Sequence, residues 1–248
     1  MNLLEKRMRW TPFLLCHLVA LLLLGSWFFP PTRLLWDKLD LYTFSCLNLS
    51  LQTKPLTQIF WALTNVKSAD AFGAAFMAIF FLLYAFDAKG EERRLRVAQF
   101  LYLCLWGEIG ILLSKEVVEI FMQKISFARA SPTLTLDNAV KLSQAIPWLK
   151  VKDVAKFCFP SDHAIILFQW LAFVWFFCSW RYRIAALCWT LFFIMPRLVA
   201  GAHWLSDALV GSVSYVAILM AWATCTPLYG YIMNFLVKIT CKFPKVKE

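Results

Sequence analysis

Six side chains in this sequence have the types and the spacing needed to handle a tetrahedral oxyanion. There are only three histidines, His17, His163 and His203. His203 belongs to the string Arg197-Leu-Val-Ala-Gly-Ala-His203-Trp-Leu-Ser-Asp207, and His163 ends Phe159-Pro-Ser161-Asp162-His163. His203 and Asp207 are four residues apart, so on a helix they share one face. A carboxylate there can accept from one imidazole nitrogen and leave the other free as a base or nucleophile. Arg197 is not on that face, but Gly201 offers a turn that folds it back over the site. With Arg129 it would bracket a phosphate, because guanidinium groups bind oxyanions through paired donors. Ser161 adds a hydroxyl and a helix-end amide, and His163 is placed as the general acid for a leaving oxygen. No carboxylate cluster suggests a metal and no cofactor is expected, so arginine charge would do what Mg²⁺ does elsewhere. Each residue alone could be an ordinary helix-end group reaching for water. His17, inside an apolar run, reads as a packed and hydrogen-bonded helix residue.

The elements that must position these groups follow from composition. Of 248 residues, 61% are hydrophobic and 16% charged, against about 45–50% and about 25% in soluble domains. So much apolar surface excludes a soluble globular protein, and equally a disordered, collagen-like or disulfide-stapled one. The eight cysteines are scattered, with no CxxC pair, which argues against zinc or haem attachment. A transmembrane helix needs about 20 mostly apolar residues. Six stretches qualify or nearly do: 11–29, 69–86, 97–113, 164–180, 184–195 running on towards Gly201, and 208–225. The first follows Lys6, Arg7 and Arg9 as a secretory signal would. It is long for a signal and has no A-x-A-like site, so a retained signal anchor is expected.

Orientation follows from Lys and Arg density. Lys6, Arg7 and Arg9 precede span one; Lys89, Arg93, Arg94 and Arg96 separate spans two and three. Arg181 and Arg183 fill the turn after span four, and Lys238, Lys242, Lys245 and Lys247 crowd the tail. With six spans, all four groups lie on one side, which makes both termini cytoplasmic. The outer segments are then 30–68 and 114–162. The first is read as two interfacial helices, 33–47 and 56–65, with Trp36 and Trp61 at headgroup level. The second is broken by Pro132 and Pro147 and holds an amphipathic piece over 137–145. The fold class is thus an all-α integral membrane protein, a six-helix transmembrane bundle with short interfacial helices on the outer side, as one domain over 1–248. The net charge of +10 points to anionic lipid as partner rather than to nucleic acid.

The strings resemble the type 2 phosphatidic acid phosphatases, relatives of the vanadium haloperoxidases. That family carries K-x6-R-P, P-S-G-H and S-R-x5-H-x3-D. Here Arg197-x5-His203-x3-Asp207 keeps the third spacing, and Pro160-Ser161-Asp162-His163 matches the second. Pro196 replaces the Ser before Arg197, and Asp162 replaces Gly. In the first motif Met122 stands at the Lys position and Ala130 at the Pro position, with Arg129 retained; Lys124 or Lys156 is left to supply the missing charge. A narrower resemblance, carried by Arg129-Ala-Ser-Pro-Thr-Leu-Thr135, Lys152-Asp153, Pro-x-Asp-His and Pro196-Arg197 with Gly201-Ala-His-Trp204, is to the lipid A 1-diphosphate synthases.

That resemblance implies a metal-independent inner-membrane phosphotransferase with a periplasmic site. It would move the terminal phosphate of undecaprenyl diphosphate to the 1-phosphate of lipid A. It also implies the roles: His203, oriented by Asp207, attacks phosphorus; Arg129, Arg197 and Ser161 hold the phosphate; His163 protonates the leaving group. The segment 130–159 is the candidate acceptor cover, or a simple cap over helix ends. A plain undecaprenyl-diphosphate or lipid A phosphatase would use the same residues. A transporter is the alternative from another class, supported only by the intramembrane acids Asp70 and Glu108. Glu108 is expected to pair within the bundle.

Overall fold

The structure is a computed structural model, and it describes residues 6–124, 129–155 and 157–240. Lys156, Lys242, Lys245 and Lys247 lie outside the described residues. The fold is helical, with five helices long and apolar enough to cross a membrane, as expected of an integral membrane protein. In chain order, α1 is Trp10–Phe28, α2 Pro30–Leu47, α3 Pro55–Leu63, α4 Lys67–Phe86 and α5 Gly90–Leu113. A π-helical turn, Ser114–Val118, leads into α6, Glu119–Lys124. The short α7 (Pro132–Thr135) and α8 (Leu142–Ala145) follow, then α9 (Asp162–Phe177) and α10 (Trp180–Val199). A second π-helical segment, Asp207–Ser212, opens α11 (Val213–Cys225), and α12 is Pro227–Thr240.

Local chemistry explains the starts. Proline opens α2, α3 and α7, where its missing N–H would have no partner anyway and its φ suits a helix. Ser161 caps α9, its Oγ accepting from the Ala164 amide at 3.4 Å, so that one otherwise orphaned donor is satisfied. At 16 residues, α9 rises only about 24 Å, short of the roughly 30 Å hydrocarbon core. It packs against α5, α10 and α11, with seven of its residues buried. Polar clamps join these helices: Gln169 donates to the Trp106 carbonyl at 2.6 Å, Tyr215 to that of Gly110 at 2.5 Å, and Tyr102 to that of Ala223. His17 sits as expected, its Nδ1 at 2.8 Å from the Phe13 carbonyl.

The two helices expected over 33–47 and 56–65 are α2 and α3. The amphipathic piece expected over 137–145 is helical only at Leu142–Ala145. Its first half is held instead by Asn48, which donates to the Val140 carbonyl (3.0 Å) and accepts from the Val140 amide (2.8 Å). An unexpected helix is α12. It sits against α5 with Tyr229, Gly230 and Met233 buried, a face hidden in the sequence by the basic tail that follows. The basic turns expected on one side do meet, since Asp87 pairs with both Arg96 (3.7 Å) and Arg181 (3.6 Å).

The turn after α10 is decided by Gly201, whose φ is +71°. A Cβ there would come within 2.7 Å of Thr133 Cγ2 and 2.9 Å of the Phe44 ring. A left-handed conformation costs an L-residue about 1–2 kcal/mol before any clash. Gly201→Ala is therefore expected to destabilise the protein by at least about that amount, read as a lowered midpoint of thermal unfolding in detergent.

Candidate active site

At the end of the bundle where α4, α9 and α10 meet residues 129–155 and 157–159, a cavity of about 480 Å³ opens. Its wall includes Asp70 from α4, Lys152 from the segment, Asp162 and His163 from the start of α9, Arg197 from the last turn of α10, and His203 from the turn beyond. Apolar side chains such as Met77, Ile166 and Phe193 line its inner part. Three of the six expected residues, His163, Arg197 and His203, therefore share one wall. Asp207, Arg129 and Ser161 do not line it.

His203 is not on a helix with Asp207. It lies in the turn ahead of the π-helical segment that Asp207 begins, and the turn brings the two together anyway. His203 Nδ1 lies 3.0 Å from the Cys158 carbonyl and 3.7 Å from Asp207 Oδ2. A carbonyl only accepts, so Nδ1 carries the proton and Nε2 is the ring nitrogen left for the cavity. Asp207 is fully buried, and its Oδ2 also accepts from the Trp204 amide at 2.7 Å.

Arg129 stands behind this pair rather than opposite Arg197. Its Nη1 donates to Asp207 Oδ1 and to Ser206 Oγ (2.8 Å), and its Nη2 donates to Asp40 Oδ2 at 2.5 Å. The rings of Trp27 and Trp204 each lie 5.4 Å from the guanidinium. Asp40 in turn accepts from the Ser206 amide (2.8 Å) and hydroxyl (2.6 Å). The expected Arg129–Arg197 bracket is thus not formed, for a plain electrostatic reason. Two buried carboxylates need a cation, and Arg129 meets both.

Arg197 is held by residues the sequence reading did not assign to a site. Its Nη1 donates to buried Asn65 Oδ1, and its Nη2 donates to both oxygens of Asp70, at 2.7 and 2.8 Å. Lys152 Nζ reaches Asp70 Oδ2 at 2.5 Å, and His163 Nδ1 lies 3.8 Å from Asp70 Oδ1. His163 Nε2 is engaged by the Phe193 carbonyl at 2.9 Å, so Nδ1 is its nitrogen on the Asp70 side. Ser161, buried, serves as the cap of α9. Asp70, one of the two intramembrane acids that a transporter would use, is an ion-pair partner at the site. The other acid in that argument, Glu108, is exposed on α5 and shows no ion pair or hydrogen bond with a described residue, contrary to the expected pairing. The signals for Asp40, Asn65 and Asp70 were faint: single polar residues beside apolar helices, with no motif spacing.

The 129–155 segment is fastened over the site by polar contacts. Ser131 Oγ donates to the Ala202 carbonyl and accepts from the Ala155 amide, both at 2.9 Å. Asn65 donates to the Lys152 carbonyl at 2.6 Å. Cys158, His203 and Asp207 bring one potential metal-ligand atom each within 4.8 Å of one another. Those atoms already have partners in the fold: Cys158 Sγ meets Ser131 Oγ (3.2 Å) and the Ala202 carbonyl (3.3 Å).

A model of the PAP2 superfamily matches residues 106–231, from the middle of α5 to α12. The chain belongs to the PAP2 superfamily. The match encloses Arg129, Ser161, His163, Arg197, His203 and Asp207, whereas Asp40, Asn65 and Asp70 fall before it. Among curated proteins, this PAP2 chain is 28% identical over 228 residues to the lipid A 1-diphosphate synthase of Escherichia coli (strain K12), covering 90% of this chain and 91% of that protein. No solved structure matches the chain significantly. Family and relative together support an enzyme of phosphoryl transfer.

Two outcomes follow from the buried pairs. Burial alone would depress the His203 pKa, but the side chains of Asp207 and Cys158 outweigh it and raise it from 6.5 to about 10. The stabilisation from this imidazolium is then complete below about pH 6.5 and lost as pH rises through about 10. With only three histidines to assign, ¹⁵N NMR should find His203 the last to titrate, and Asp207→Asn should lower its pKa. Separately, Arg129→Ala strands two buried carboxylates and should cost about 3–5 kcal/mol, measured by denaturant unfolding in micelles.

Proposed function

We propose that this protein transfers the terminal phosphate of undecaprenyl diphosphate to the 1-phosphate of lipid A, giving lipid A 1-diphosphate and undecaprenyl phosphate. The observation that carries the reading is one cavity wall that joins His203, His163, Arg197 and Lys152 within a PAP2 chain. The resemblance to a lipid A 1-diphosphate synthase supplies the donor and acceptor.

In this reading His203 reacts in its neutral form: the imidazolium first passes its Nε2 proton to the bound diphosphate, and Nε2 then attacks the terminal phosphorus. The bond to the bridging oxygen breaks. His163, whose Nε2–H is held by the Phe193 carbonyl, must carry a second proton on Nδ1 to give to the departing undecaprenyl phosphate. It recovers that proton from the lipid A 1-phosphate in the second step. Arg197 and Lys152 take up the charge on the transferred group, the electrostatic part that dominates phosphoryl transfer. A lipid A 1-phosphate oxygen then attacks phosphorus, the P–N bond breaks, and His203 is restored. Arg129 acts through Asp207, and Ser161 through the start of α9 that carries His163. Transfer rather than hydrolysis requires an acceptor held close and water kept out, the part assigned to 130–159. Charge rather than metal drives the step.

The proposed topology has six spans, with α9 as the short one inside the bundle. Both termini face the cytoplasm and the cavity opens at the periplasmic face of the inner membrane. The whole chain is read as one domain.

Purified protein in micelles with both lipids should add one phosphate to lipid A at position 1, followed by mass spectrometry. His203→Ala should abolish transfer, and Arg197→Lys should slow it by about 10²-fold. Rapid release of free phosphate from undecaprenyl diphosphate without lipid A would instead make it a lipid phosphatase. Full transfer by His203→Ala would overturn the mechanism.

A further inference from the structure

Asp70 has a bonding pattern that an incoming phosphate would need. It sits in the first turn of α4. Arg197 Nη2 donates to both of its oxygens, Lys152 Nζ donates to one, and His163 Nδ1 lies 3.8 Å from the other. All four residues line the cavity. The basic side chains on that wall other than His203 thus converge on one carboxylate. A phosphate cannot take Arg197 Nη2 and Lys152 Nζ while Asp70 keeps them, because two anions would share one donor set. Displacing Asp70 leaves Arg197 in place, since its Nη1 is anchored separately on buried Asn65. Asp70 can also give way: its side chain is partly exposed, so its carboxylate can turn to water when it is displaced.

We propose that the Asp70 carboxylate is a built-in stand-in for the substrate phosphate, one that a phosphate must displace and that thereby sets which anions the site accepts. This rests on the reading that the cavity binds phosphate. A tethered carboxylate competes well against small free anions. A lipid-linked diphosphate overcomes it, being more highly charged and held also by its tail. Free phosphate is then a poor ligand, which suits an enzyme meant to keep its phosphoryl group for an acceptor.

The test is calorimetric titration of the full chain in detergent micelles with inorganic phosphate. Losing the competitor should make D70N bind phosphate about tenfold or more tightly, as expected when a site is free only a small fraction of the time. D162N removes an equal charge from the same wall and makes no hydrogen bond to Arg197 among the described residues. It should gain much less. Equal or weaker binding by D70N would overturn the proposal and leave Asp70 as a residue that merely positions Arg197. An equal gain in D162N would also overturn it, as a general effect of net charge. If neither the unaltered chain nor D70N bound phosphate, the phosphate reading of the cavity would fall, and the stand-in with it. Should D70N not fold, infrared difference spectra of the unaltered chain serve instead. Saturating phosphate should shift a carboxylate stretch, and saturable binding with no carboxylate change would overturn the proposal.

Discussion

Asp207 and Asp40 are almost wholly shielded from water at the end of an apolar bundle, where an unpaired carboxylate would neutralise or unfold its surroundings. Arg129 is the cation that makes their burial tolerable. Because it joins both acids, it fastens α2, the 129–155 segment and the entry to α11 into one unit. Burial raises the Asp40 pKa, and the contacts from Ser206 and Arg129 oppose that rise, so the unit holds its charge only while it is complete. The position of His203 depends on it, since Asp207 and the Cys158 carbonyl hold the ring from behind.

The polar groups at this end form two layers with different freedoms. The rear layer, Arg129 with Asp40, Asp207 and Ser206, is closed off from the cavity, and its donors and acceptors are matched to one another. The front layer, Arg197 and Lys152 on Asp70, lines the cavity and is partly wet. A matched rear layer keeps a ring nitrogen in place, while a wet front layer lets one anion be exchanged for another. That division gives a physical basis for the proposed chemistry, because phosphoryl transfer is mostly positioning and electrostatics.

The membrane setting explains why so few polar residues accomplish this. Lipid offers no hydrogen bonds, so helix packing relies on close contact and on polar clamps, here Gln169, Tyr215 and Tyr102. Short α9 is acceptable because α5, α10 and α11 pack against it and bury much of its surface. Its early start places Ser161 as a cap and His163 at the cavity wall rather than deep in the bundle.

Much was legible in the sequence for physical reasons. Apolar runs must be helices in a bilayer, so the order of the long helices followed from composition, and the two shorter helices α2 and α3 were legible between the first two of them. Arg197, His203 and Asp207 kept a spacing that works however the local backbone turns, and Gly201 marked the turn itself. What the sequence could not show was which charge meets which. Arg129 and Arg197 were expected to face each other across an anion; in the structure each is claimed by carboxylates distant in the chain, Asp40 and Asp207 for one and Asp70 for the other. The helix assumed for His203 and Asp207, the extent of α8 and the existence of α12 were likewise decided only by packing. Residue type and spacing determine which groups can carry charge and where helices run. Partner choice depends on which charges become buried together, and only the tertiary structure decides that.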